Sequence, residues 1–159
     1  MPIDYIAASL QPLDFNGAAP YAWSEFAKLL PEKFLDAAGG FAHSAKWIDL
    51  ETQLRNAMAL ARGGEKHVRE TSGLSLYWQG RVTAAFGEKN PLKRETLLDR
   101  VWWDAAAELT PLSSPLSPGV LETYAVRLKI ALKRAAVSKD AGNAAFDRLT
   151  AETRSPDAS

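Results

Sequence analysis

The chain has 159 residues with 19 basic and 19 acidic side chains, so its formal net charge is zero. This balance argues against a dedicated nucleic-acid-binding protein, which usually has a basic excess. It contains no cysteine, which excludes disulfides, thiolate zinc sites and a cysteine nucleophile. A composition that is 47% hydrophobic and 24% charged is typical of a packed globular domain. We expect residues 1–150 to form one domain and residues 151–159 a flexible tail.

The N-terminal segment from Met1 to Tyr5 lacks the basic start and apolar stretch of a signal peptide. No run approaches the roughly 18 to 20 apolar residues that cross a bilayer. We therefore expect a cytoplasmic protein without direct membrane insertion, which reaches a membrane only through protein partners.

The first third of the chain carries short elements. The apolar segment from Ile3 to Leu10 fits either a strand or a helical turn. Ser24 is a suitable N-cap for a short helix that carries Phe26. Pro31 opens another helical turn, which we expect to end at Gly39-Gly40.

A longer helix is predicted from Ser44 to Arg62, where apolar residues recur at helical spacing. Gly63-Gly64 is the stop signal for this helix. Another helix is expected from Leu74 to Phe86, although Gly80 interrupts its pattern.

The next helix carries two adjacent tryptophans. Asn90 as N-cap and Pro91 at the first helical position predict its start, and it runs to about Leu109. Because a helix advances about 100° per residue, Trp102 and Trp103 cannot share one stripe. The main apolar stripe includes Trp102, so we assign Trp102 to the core. Trp103 lies on another face and is either core or a binding surface.

The last long helix is predicted to start at Ser117-Pro118 and to run to about Val137, with Asp140 capping a short final helix. It carries two apolar stripes that lie on nearly opposite faces, one of them formed by Val126, Ile130 and Val137. A surface helix needs one apolar face, so the second stripe predicts burial between helices or a partner interface. The elements together predict an all-α fold, a compact bundle of roughly five to seven helices in a single domain.

No catalytic, cofactor-binding or metal site is predicted. His43 and His67 have no second ligand at metal-binding spacing, so surface or packing roles are favoured. Glu95, Asp99 and Glu108 spread around their helix, which favours a solvated, partly ion-paired surface. An enzyme built on these three carboxylates is the less favoured hypothesis, and it would require burial that raises one of their pKa values.

A protein-binding surface is the favoured kind of site. The basic residues of the last helix either form a solvated face or bind phosphates or an acidic protein. Combining them with the second stripe and the tryptophan helix gives the candidate protein interface, which consists of Leu92, Trp103, Val126, Arg127, Ile130, Lys133, Arg134 and Val137.

Three segments carry a family resemblance. The stretch from Asn90 to Trp103 reads NPLKRETLLDRVWW, the one from Leu121 to Arg134 reads LETYAVRLKIALKR, and the one from Asp49 to Asn56 reads DLETQLRN. Their order resembles that of the C-type subunit of V/A-type rotary ATPases. The segment from Tyr5 to Leu13, YIAASLQPL, is similar to the start of a bacterial family of unknown function encoded among V-type ATPase genes.

The resemblance implies a non-enzymatic protein that needs no cofactor and couples the central rotor stalk to the membrane ring. Its partners would be stalk or ring subunits. The C-type subunit is longer, and it has Asp and Asn in the last helix where this chain has Val126 and Lys129, so its binding residues are not carried over. A generic helical adaptor or regulator of an unrelated partner is the alternative.

Overall fold

The computed structural model describes the backbone of residues 2–71, 73 and 75–154, and it leaves out the side chains of residue 67, residues 139–148 and residues 150–154. Within these limits the chain forms six α-helices and three short 3₁₀ helices, and the only β pairing is an isolated bridge between Leu35 and Phe41. The predicted all-α fold is thus confirmed. The helices are α1 (Ile3–Ser9), α2 (Trp23–Leu29), α3 (Ala45–Ala61), α4 (Leu76–Phe86), α5 (Pro91–Ala105) and α6 (Pro118–Arg154).

The N-terminal elements are helical. The first apolar segment is helix α1 and buries Ile6. Helix α2 starts two residues earlier than expected, with Ala22 as its N-cap, and the backbone N–H of Ala22 donates to the Glu25 carboxylate at 2.9 Å. Ser24 therefore lies inside α2 and is not its cap. The turn after Pro31 is the short 3₁₀ helix Glu32–Phe34.

Local signals place α3 and α4 where they were predicted, with small differences. The Ser44 hydroxyl caps α3 by accepting from the Trp47 N–H at 3.3 Å. Gly63 follows the end of α3 with a φ of 79°, a conformation that favours glycine. Helix α4 is continuous through Gly80, so the expected interruption is wrong. Leu74, where this helix was expected to start, lies outside the described residues.

Helix α5 has the predicted cap. The Asn90 side chain accepts from the backbone N–H groups of Leu92 at 3.0 Å and Lys93 at 3.4 Å. The α-helix ends at Ala105, and the chain continues as the 3₁₀ helix Ala106–Leu109. The predicted end near residue 109 is correct for the helical segment as a whole.

Helix α6 begins at Pro118 as predicted but is much longer than expected. It runs without a break to Arg154, so it passes through Asp140, where a new helix was expected, and into the segment 151–159, where a tail was expected. The Ser117 hydroxyl is buried without a hydrogen-bond partner, so it does not cap the helix. A methyl group at Gly119 would collide with the backbone carbonyl of Leu109, which makes glycine necessary there.

Two hydrophobic clusters lie on opposite sides of α6. The larger cluster joins α3, α4 and α5 to the face of α6 that carries Val126 and Ile130. The smaller one joins α1 and α2 to the face that carries Leu121 and Leu128. Both apolar stripes of α6 are therefore buried within the chain, and only the Val137 end of the second stripe is exposed.

Candidate functional site

The structure places Trp103 in the core and Trp102 at the border of the core. Trp103 is only 5% exposed. It meets the Phe15 ring edge-on at 5.4 Å between centroids, and the Arg127 guanidinium lies 5.1 Å from its ring centre. Trp102 is partly exposed at the border of the core. Of the two alternatives for Trp103, core or binding surface, the core is correct, so its place in the candidate interface is wrong. Trp102 packs against the core as predicted but is only partly buried. Both tryptophans contact the core because α5 packs against α3, α4 and α6 and so buries more than one face.

Other members of the predicted interface are also buried. Val126 and Ile130 are 6% and 8% exposed and belong to the core. Arg127 is partly buried and donates through Nε to the carbonyl of Trp103 at 3.0 Å. Burial lowers the pKa of Arg127, and the nearby positive charge of Arg100 adds to this effect, while Asp104 opposes it. These three residues hold α6 against the body and do not present a free surface.

Four predicted interface residues do come together at the surface. Leu92 and Val137 are 72% and 53% exposed, and they line one shallow depression with Lys133 and Arg134. We call these four residues the α5–α6 patch. The Nζ of Lys133 and the guanidinium of Arg134 lie 2.8 Å and 3.8 Å from the Asp99 carboxylate.

A separate groove of about 450 Å³ runs between α3 and α6, with α5 as its floor. Helix α5 packs against both neighbours, whereas α3 and α6 make little close backbone contact with each other. The wall and floor residues are His43, Trp47, Glu51, Arg55, Met58, Glu95, Leu98, Asp99, Trp102, Val126, Lys129, Ile130 and Lys133.

The positively charged side chains that line this groove differ in whether they have a carboxylate partner. Arg55 lies 3.4 Å from Glu51, and Lys133 reaches both Asp99 at 2.8 Å and Glu95 at 3.8 Å. Lys129 makes no ion pair with any carboxylate of the described residues, and its Nζ lies 4.3 Å from the centre of the Trp23 ring. Among the described residues, no carboxylate neutralises the charge of Lys129 in this groove.

A buried carboxylate, Glu122, holds the lining residue His43 in place. Glu122 is 5% exposed and accepts from His43 Nδ1 at 2.9 Å, from the Ser44 N–H at 2.6 Å and from the Ser44 hydroxyl at 2.6 Å. Burial opposes the charge of Glu122, but the bonds from His43 and Ser44 outweigh it and lower the pKa of Glu122. The arrangement ties α6 to the start of α3 and fixes the His43 imidazole beside the groove.

The sequence contained a signal for this site that our interpretation missed. Glu122 lies four residues before Val126 and eight before Ile130, so a carboxylate occupies the second apolar stripe of α6. A charged group on a buried stripe needs partners. His43 was assigned a surface or packing role, and its bond to Glu122 gives it a defined structural partner.

The carboxylates considered for catalysis are engaged with other side chains. Asp99 is ion-paired with Lys133, as expected for part of this surface, but only 12% of its side chain is exposed, so it is not solvated. Glu108 accepts from the Trp78 indole N–H at 2.9 Å. Glu95 is 60% exposed. The three do not converge on one another, since Asp99 and Glu95 face Lys133 and Glu108 faces α4.

Among the described residues, no group of three His, Asp or Glu side chains is placed to hold a metal ion. The side chain of His67 lies outside the described part of the chain. No described helix is both long and apolar enough to cross a membrane. Comparison with known proteins finds no family model, no curated protein and no solved structure that matches this chain.

Proposed function

We propose that this chain is a non-enzymatic accessory protein of a bacterial V/A-type rotary ATPase, similar to its C-type subunit, which binds stalk or ring subunits on the cytoplasmic side. The observation that carries the proposal is where the resembling segments lie. They fall on α3, on α5 and on the first half of α6, which are packed around a single groove. The three segments that resemble the C-type subunit therefore lie on helices that line the same groove, whereas the segment from Tyr5 to Leu13 lies on and after α1.

The construction of α6 suits a coupling role. Its 37 residues correspond to roughly 55 Å of helix at 1.5 Å per residue. The first half is packed on two opposite faces, and Arg127 and Glu122 bind it to α5 and to the start of α3. A helix held in this way transmits force to the body of the domain as a rigid element.

The α5–α6 patch is the surface we assign to the partner. Leu92 and Val137 expose apolar side chains next to the charged groups of Lys133 and Arg134. Exposed apolar residues that lie together beside charges are typical of protein-binding surfaces. A partner segment with apolar side chains would complement the exposed Leu92 and Val137.

The test is direct binding between the full chain and purified stalk and ring subunits of the same cell's V/A-type ATPase. We expect a complex at micromolar concentration. A Leu92→Glu, Val137→Glu double variant should weaken it at least about tenfold, because charge would replace buried apolar contacts. Leu112→Glu is the matched control, since Leu112 is fully exposed in the proline-rich loop, away from the patch.

Absence of a complex with every purified stalk and ring subunit would refute the rotary-ATPase proposal. Loss of binding in the Leu112→Glu control, or full binding in the double variant, would refute the assignment of the patch. A generic helical adaptor would use a similar surface but would have no affinity for rotor subunits.

A further inference from the structure

The groove between α3 and α6 has a site that the proposed function does not require. Its apolar lining consists of Trp47, Leu98, Val126 and Ile130, together with Met58 and the partly exposed Trp102. Its volume of about 450 Å³ lies in the range of small-molecule pockets, roughly 300–1,000 Å³.

The lining is too deeply buried to receive a helix from another protein. Trp47, Leu98 and Val126 are 2%, 5% and 6% exposed, so little of their surface remains for a broad partner. A helix with its side chains is about 10 Å across and would rest on the charged rim without reaching these groups. A small flat molecule needs less apolar area, and the partly exposed Trp102 and Met58 offer it an aromatic and an apolar contact.

The charged side chains of the groove indicate what charge the polar end of such a molecule would carry. Arg55 is paired with Glu51, and Lys133 is paired with Asp99, whereas Lys129 has no carboxylate partner among the described residues. A ligand that places one negative charge at Lys129 would give each positively charged side chain of the groove a negatively charged partner. A dianion would leave its second charge beside Glu51, Glu95 or Asp99, which is unfavourable.

We propose that this groove binds a small monocarboxylate with a flat apolar body, the carboxylate lying at Lys129 and the body over Trp102 and Val126. The Lys129 ammonium group lies against the Trp23 ring and has no carboxylate partner among the described residues, so it can supply a charge-assisted hydrogen bond. Trp102 and Met58 supply the apolar contact for the body. His43 lines the groove, and Glu122 holds its imidazole in place.

The proposal can be tested by titrating 3-phenylpropanoate into the full ¹⁵N-labelled chain and following the indole N–H resonances. We expect saturable shifts for Trp102 and Trp47. The indole of Trp78 should not shift, since it is bound to Glu108 outside the groove. The neutral 3-phenylpropanamide has the same shape without the charge, and it should bind about tenfold more weakly because the charge-assisted bond is lost.

Two variants test the role of the cation. Lys129→Met should remove the preference for the acid over the amide, because the exposed side chain can be replaced without loss of core contacts. Lys93→Met is the matched control, since it removes the same charge from an exposed position on α5 outside the groove, and it should keep the preference.

Absence of saturable shifts with 3-phenylpropanoate would overturn the proposal. Equal binding of acid and amide to the unmodified protein would also overturn it, as would a preference for the acid that survives in Lys129→Met. None of these outcomes depends on rotor subunits, so the groove and the proposed function are tested separately.

Discussion

Replacing Glu122 by glutamine should destabilise the protein by about 2–3 kcal/mol at neutral pH. Glu122 is 5% exposed and accepts three hydrogen bonds from His43 and Ser44. Hydrogen bonds to a charged group contribute roughly 1.5–3 kcal/mol, against about 1 kcal/mol for neutral ones. Glu122→Gln conserves the side-chain volume, so the expected loss comes from weakening or breaking these bonds and not from a cavity.

The effect should depend on pH with a definite sign. Because the pKa of Glu122 is lowered in the folded protein below its ordinary value of 4.5, the unfolded chain binds the proton more readily. The stabilisation by Glu122 is fully present above the ordinary pKa, and it is lost as the pH falls through the lower pKa of the folded state. The difference in the free energy of unfolding between the unmodified protein and Glu122→Gln should therefore become smaller at acid pH.

Urea denaturation at about pH 7 and about pH 3 measures both quantities. Glu95→Gln is the matched control, since Glu95 is 60% exposed and should contribute less than about 1 kcal/mol through its ion pair. A loss in Glu122→Gln that is no greater than that of the control, or a loss that is the same at both pH values, would refute the assigned role of this carboxylate.

Three further substitutions test packing and capping by urea denaturation. Trp103→Ala should lower the free energy of unfolding by about 3–5 kcal/mol because the ring is buried. Trp102→Ala should lower it clearly less because its ring is partly exposed. The reverse order would contradict the structure. Gly119→Ala should cost at least about 2 kcal/mol, since the new methyl group meets the Leu109 carbonyl, and a neutral result would mean that the backbones separate easily there. Asn90→Ala should cost about 1 kcal/mol through loss of the α5 cap, and no change would show that solvent replaces it.

The sequence was sufficient wherever the physics is local. Ser44 and Asn90 were recognisable as caps because a short polar side chain can bond the free N–H groups of its own first turn. Gly63 marked the end of α3 because few other residues adopt its φ. The apolar spacing in α3 and α5 gave the helix type and most of their buried residues, which led to the correct fold class.

The length of α6 could not be read with the same rules. Asp140 was interpreted as a new cap because aspartate often starts helices. Capping requires the preceding backbone to leave the helical conformation, and at Asp140 it does not. A residue that can cap a helix shows only that a helix could begin there. The sequence around Asp140 was therefore compatible with one continuous helix and with two separate helices.

Which side chains of the candidate sites are buried depended on tertiary structure more than the positions of the helices did. Periodicity places Trp102 and Trp103 on different faces of α5, but it does not tell which faces are covered. Packing of α3, α4 and α6 around α5 buried Trp103 and left Trp102 at the groove. The neighbours of a helix decide burial, and they come from elsewhere in the chain.

The pairing of His43 with Glu122 shows the same limit. The two residues are 79 positions apart in the sequence and meet at 2.9 Å only because α6 passes the start of α3. By itself the sequence determined the all-α class, the Asn90 cap of α5 and the presence of a carboxylate on an apolar stripe. Tertiary structure decided which charges pair between helices, such as Lys133 with Asp99, and that Lys129 has no carboxylate partner among the described residues, because these pairs depend on distances between segments that local spacing does not constrain.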